Sequence, residues 1–81
     1  MVVDQHRVRF VGPITLALRV ATTLADADGV ELISSDQPVT LGNGTVALNV
    51  MVEAELDVVV EAVAGIRREL PARAFIEIND G

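Results

Sequence analysis

Polar and apolar positions along the chain fall into segments of two different periods. From His6 to Val11 they alternate, with His6, Val8 and Phe10 on one face and Arg7, Arg9 and Val11 on the other, which is the pattern of a strand. Gly12-Pro13 ends that ladder, because proline donates no N–H and its fixed φ suits the first turn of a helix. From Ile14 to Ala27 the spacing becomes helical. Ala17, Leu18, Ala21 and Leu24 form the stripe expected to be buried, and Arg19, Thr22, Thr23 and Asp26 are left for solvent. Asp28-Gly29 closes the helix. Val30 to Ser34 alternates again, with Val30 and Leu32 opposed to Glu31 and Ile33. Ser35 to Gly44 reads as a connection ending in an Asn-Gly pair that suits a tight turn, and Val39 to Leu41 within it has the makings of a short edge strand.

Thr45 to Val52 carries the clearest alternation, with Val46, Leu48, Val50 and Val52 facing the core and Thr45, Ala47, Asn49 and Met51 facing away. A second helix is expected from Ala54 to Leu70, on the stripe Leu56, Val59, Val63, Ile66 and Leu70. Glu53, Glu55 and Asp57 at its start and Arg67 and Arg68 near its end complement the helix dipole, and Pro71 stops it. Arg73 to Ile78 is the last strand, with Ala74, Ile76 and Ile78 inward and Arg73, Phe75 and Glu77 outward. The order strand, helix, strand, strand, helix, strand predicts an α+β fold of the ferredoxin-like βαββαβ type. Two right-handed crossovers place both helices on one face of a four-stranded antiparallel sheet and make the first and third long strands central. Val8, Phe10, Leu48, Val50, Leu56, Val63, Ile66 and Ile76 are the expected core.

That topology leaves the second face of the sheet uncovered, and the alternation assigns its residues: Arg7, Arg9, Val11, Glu31, Ile33, Ala47, Asn49, Met51, Phe75 and Glu77. Mixed apolar groups and charges of both signs suit a partner surface. Arg7, Arg9, Val11, Ile33, Met51, Phe75 and Glu77 are therefore the candidate interface. Composition points the same way. Eighty-one residues give one core and a single domain, 1–81, and with no cysteine for disulfides a second copy is the natural source of further stability. Six basic residues, all arginine, against twelve acidic ones give a net charge of −6, the wrong sign for a nucleic-acid binder. No apolar run reaches the ~18 residues of a membrane span and no signal peptide opens the chain, so a cytoplasmic protein without direct membrane insertion is expected.

Val8-Arg9-Phe10-Val11, the Gly12-Pro13 turn, the helix through Leu16, Val20 and Leu24, and Asp28-Gly29-Val30-Glu31-Leu32-Ile33 together resemble an ACT domain. This is a small regulatory fold often attached to enzymes of amino-acid metabolism. Val46 to Val50, Leu56 to Leu70 and Ala74 to Ile78 continue the likeness over nearly the whole chain. The resemblance implies a non-catalytic regulatory or assembly module that homodimerises, with a small effector such as an amino acid held near Gly12, Pro13, Ile14, Ser34 and Ser35. In that family the turn after the first strand commonly reads Asp-x-Pro-Gly, whereas this chain has Val11-Gly12-Pro13-Ile14, with no acidic residue and the glycine before the proline. The departure fits modules that have lost the ligand and only assemble, including soluble domains of larger or membrane-anchored proteins that bind a protein partner.

Catalytic chemistry has little to draw on. His6 is the sole histidine, and without cysteine a His/Cys metal site cannot form in one chain, so no metal or cofactor is expected. An acylphosphatase-like enzyme shares the topology but needs an arginine in a phosphate-cradling first loop. Gly12-Pro13-Ile14 lacks it, and Asn49 alone keeps that alternative in view. Glu53, Glu55 and Asp57 read as a charged helix start, and Gly42-Asn43-Gly44 as a hairpin turn without the lysine and following helix of a phosphate loop.

Overall fold

The computed structural model describes residues 3–79; residues 1, 2, 80 and 81 of the expected 1–81 domain lie outside them. Its elements are β1 (Asp4–Pro13), α1 (Ile14–Asp26), β2 (Glu31–Ser35), β3 (Val39–Gly42), β4 (Thr45–Ala54), α2 (Leu56–Glu69) and β5 (Phe75–Ile78). The antiparallel sheet runs β2-β4-β1-β5, and β3 pairs with β4 beyond the end of β2, so these two short strands share one edge. This is the ferredoxin-like βαββαβ arrangement with β1 and β4 central and with β3 as a fifth strand. α1 lies over β1 and β4, and α2 over β5 and β1.

β1 and β4 set the scale of the molecule. They pair over ten residues each, from Asp4↔Ala54 to Pro13↔Thr45. β1 thus starts before His6 and continues through Gly12-Pro13, where the sequence pattern ends the strand. Pro13 is tolerated because it is the strand's last residue and immediately precedes the helix. No side chain caps α1; its first amide, Ile14 N–H, instead donates to Gly44 O at 2.8 Å. That carbonyl belongs to the β3–β4 hairpin, where Asn43 (φ 53°) and Gly44 (φ 77°) both take the left-handed conformation that a two-residue turn of primed type requires.

The core joins Val8 and Phe10 of β1, Val46, Leu48, Val50 and Val52 of β4 and Ile76 of β5 to Ala17, Val20 and Leu24 of α1 and Val59, Val63 and Ile66 of α2. The strand phases agree with the alternation, and His6 is buried on the same face. The helix phases need two corrections. Leu18 is 77% exposed, and Val20 takes its place between Ala17 and Leu24 at the i+3 and i−4 positions. Leu56 is 51% exposed, because β4 runs on to Ala54 and α2 begins only at Leu56, so its buried stripe starts one turn later at Val59. The last strand also begins at Phe75 and not Arg73; a turn closed by Ala74 N–H to Pro71 O at 3.0 Å precedes it.

β2 departs most from the simple alternation. Leu32 pairs with Val52, but the next pairs are Ser34↔Met51 and Ser35↔Val50, so Ile33 is an extra residue in a bulge. One inserted residue reverses the faces beyond it. Ser34 is moved to the open face and Ser35 to the helix face.

Candidate functional site

The ladder registers arrange the open face as rows crossing the strands. One row is apolar from edge to edge: Val39 of β3, Ala47 of β4, Val11 of β1 and Phe75 of β5. The next is polar, with Asn49 opposite Arg9 and Arg9 opposite Glu77; Asp36 joins its outer end by donating its N–H to Asn49 O at 2.9 Å. In the third, Ser34 faces Met51 and Met51 faces Arg7, and in the fourth Glu31, Glu53 and Gln5 follow one another. Phe75 is 47% and Val39 59% exposed, whereas Ala47, between taller neighbours, is covered. Arg9 is half-buried, and its Nε is shielded from solvent without a hydrogen bond among the described residues.

Six of the seven candidate interface residues, Arg7, Arg9, Val11, Met51, Phe75 and Glu77, therefore stand in adjoining rows of one face. The seventh, Ile33, sits in the β2 bulge at its margin, 43% exposed. A shallow polar depression of about 110 Å³ lies on the same face, bounded by Arg7, Ser34, Asp36, Asn49, Val50 and Met51.

The candidate ligand residues do not form one group. Ile14 and Ser35 meet in an apolar groove of about 210 Å³ beside α1, with Ala17, Leu18 and Ala21 of that helix, Asp36 and Pro38 of the β2–β3 connection, and Leu48 of β4. Ser34 lies on the opposite face. Gly12 points into the core: a Cβ built there would lie 2.7 Å from Ala74 Cβ and 2.8 Å from Phe10 Cζ. Its smallness accommodates the Phe10 ring and Ala74. Pro13 separates it from Ile14, whose amide already serves the Gly44 carbonyl. The turn thus offers no pair of free amides to a ligand, and what the groove presents is apolar surface with the polar groups of Ser35 and Asp36 at its side.

Among the described residues no three His, Cys, Asp or Glu side chains gather as a metal site, and no helix is long and apolar enough to cross a membrane. The two β-α units and their shared sheet define a ferredoxin-like protein with one uncovered sheet face. No protein-family model and no curated protein matches the chain. Among solved structures there is a match to CPII, a nitrogen regulatory PII-like protein from Thiomonas intermedia K12, in a structure bound to ADP, AMP and bicarbonate. It has 8% identity and a TM-score of 0.40, over 96% of this chain and 93% of that one.

Proposed function

We propose that the chain is one ACT-like, non-catalytic regulatory or assembly module, and that it forms a homodimer through the open face of its sheet. The observation that carries this reading is the apolar row Val39, Ala47, Val11 and Phe75 running the full width of the sheet beside rows that contain both Arg7 and Arg9 and Glu31, Glu53 and Glu77. A face of one sign would repel its own copy. One with both signs lets arginines of one protomer meet glutamates of the other, which fixes orientation while the apolar row supplies contact.

Strands of ten, ten, five, four and four residues, at ~3.3 Å per residue and ~4.8 Å between neighbours, make a platform of roughly 500 Å², somewhat smaller than a standard interface but of the same order. A standard interface takes roughly 800 Å² of accessible surface from each partner. The chain's accessible surface, 5231 Å² for 8.6 kDa, is about a tenth above the ~4,700 Å² of a compact monomer of that mass. Sedimentation of the wild type and of Phe75→Asp tests the proposal. The wild type should run as a dimer and the variant, which carries a charge into the apolar row, as a folded monomer. Two identical oligomers would remove the open face from consideration.

A second reading adds a small effector, favoured by the meeting of Ile14 and Ser35 in the groove beside α1. Its 210 Å³ falls below the ~300–1,000 Å³ of drug-sized sites and suits a group the size of an apolar amino acid.

A further inference from the structure

The edges of the sheet are treated differently from one another. β2 and β3 both carry register shifts against β4, and Pro38 lies between them, so their outer edge is broken. β5 pairs with β1 without a shift, contains no proline and exposes Phe75. Among the described strands it presents the regular edge onto which another strand would add.

The hydrogen bonds show which of its groups face outward. Asn79 N–H donates to Arg7 O at 2.7 Å, so Arg7 and Asn79 are a bonded pair. Antiparallel pairs alternate, which makes Arg9–Glu77 and Val11–Phe75 bonded as well and leaves Ile76 and Ile78 with their backbone groups directed away from β1. One of those outward groups is occupied from within the chain. Arg67, on α2, donates from Nη2 to Ile76 O at 2.9 Å in a partly buried contact.

We propose that Arg67 guards the β5 edge: its guanidinium holds the acceptor that β5 of a second copy, running antiparallel, would use, and so blocks strand-to-strand association of this chain. A second copy is the natural occupant because antiparallel pairing of β5 with itself matches each outward-directed Ile76 and Ile78 to the same residues of the partner. On the helix side it would also join Ile76, which is buried, and Ile78, which is half-buried, into one apolar strip. A guanidinium suits this position because it offers several donors in a fixed fork. The inference is independent of whether the open face is an interface.

The test compares Arg67→Ala with Arg68→Ala, which removes the same charge from the adjacent position of the helix end. Residue-resolved amide exchange and sedimentation are followed as protein concentration rises. In the wild type and in Arg68→Ala, exchange at the Ile76 and Ile78 amides should be insensitive to concentration. In Arg67→Ala it should slow with concentration, together with a sedimenting species larger than that of the wild type. Arg67→Met, which keeps an unbranched apolar stem and removes every donor, covers the case in which alanine unfolds the helix end, and it has the same expected outcome. Exchange at Ile76 and Ile78 that ignores concentration in the folded Arg67 variants would overturn the proposal, as would an Arg68→Ala protein that behaves like them. Because the readout is at the edge amides, failure of the open-face dimer leaves it unaffected.

Discussion

Gly12→Ala separates a packing glycine from a ligand-binding one, and its cost follows from the contacts at that position. The new Cβ would sit 2.7 Å from Ala74 Cβ, 2.8 Å from Phe10 Cζ and 3.2 Å from Phe10 Cε1. Carbon atoms prefer ~3.5–4.0 Å, so two neighbours would have to retreat by close to an ångström in a site where Phe10 is 1% exposed. Overpacking of this kind costs roughly 1–3 kcal/mol. Replacing glycine by alanine also removes freedom from the unfolded chain, which returns about 0.4–1 kcal/mol. The net loss is on the order of 1–2 kcal/mol, and for a chain of this length each kcal/mol lowers the melting temperature by about 4–8 °C. Urea melts at one fixed protein concentration, with no small molecule present, measure it. Phe10→Leu deletes both ring atoms in question, so the cost of Gly12→Ala should shrink in that background, with a coupling of about 0.5 kcal/mol or more. A Gly12→Ala protein as stable as the wild type, or strict additivity with Phe10→Leu, would refute the packing role.

Two further substitutions probe the core and the groove. Leu48→Ala, at a position 3% exposed under α1, should cost about 2–5 kcal/mol from lost burial and the residual cavity, read as a lower urea midpoint with an unchanged slope. Leu18→Gln, at 77% exposure, should change stability by no more than about 0.5 kcal/mol. If the groove takes an apolar amino acid, the same Leu18 variant should weaken the saturable heat that the wild type gives in calorimetry, and a heat unchanged by it would place the binding elsewhere.

The alternation in β1, β4 and β5 was a sufficient guide to the fold because each of these strands has one face on the helices and one without cover. Period two then translates directly into burial at Val8, Phe10, Leu48, Val50 and Ile76. The helices were harder to phase. α1 carries Ile14, Leu16, Leu18, Val20 and Ala21 around much of its circumference, so more than one stripe satisfies helical spacing, and only the sheet beneath selects Ala17, Val20 and Leu24. In α2 the stripe itself was legible from Val59 to Ile66. Leu56 falls outside it because the ten-residue length of β4, and hence the point where the helix departs, is set by pairing with β1.

The site shows where local pattern ends. The open-face rows followed from strand phase, and six of the seven expected residues came together for that reason. The bulge at Ile33 lies beyond what alternation can place, since the pairs Leu32-Ile33 and Ser34-Ser35 break the apolar–polar period at that point, and the one extra residue puts Ser34 on the open face and Ser35 on the helix face. The bond of Ile14 N–H to Gly44 O joins positions thirty residues apart and turns an apparent ligand turn into a brace between two loops. Arg67 is a charge suited to a helix end. Its hydrogen bond to Ile76 O depends on how the turn closed by Ala74 and Pro71 brings β5 back alongside α2, a geometry that neither residue's own neighbourhood encodes. Such contacts between elements decide which surfaces of the sheet remain open, because the chain's own side chains reach groups that strand alternation alone leaves to a partner.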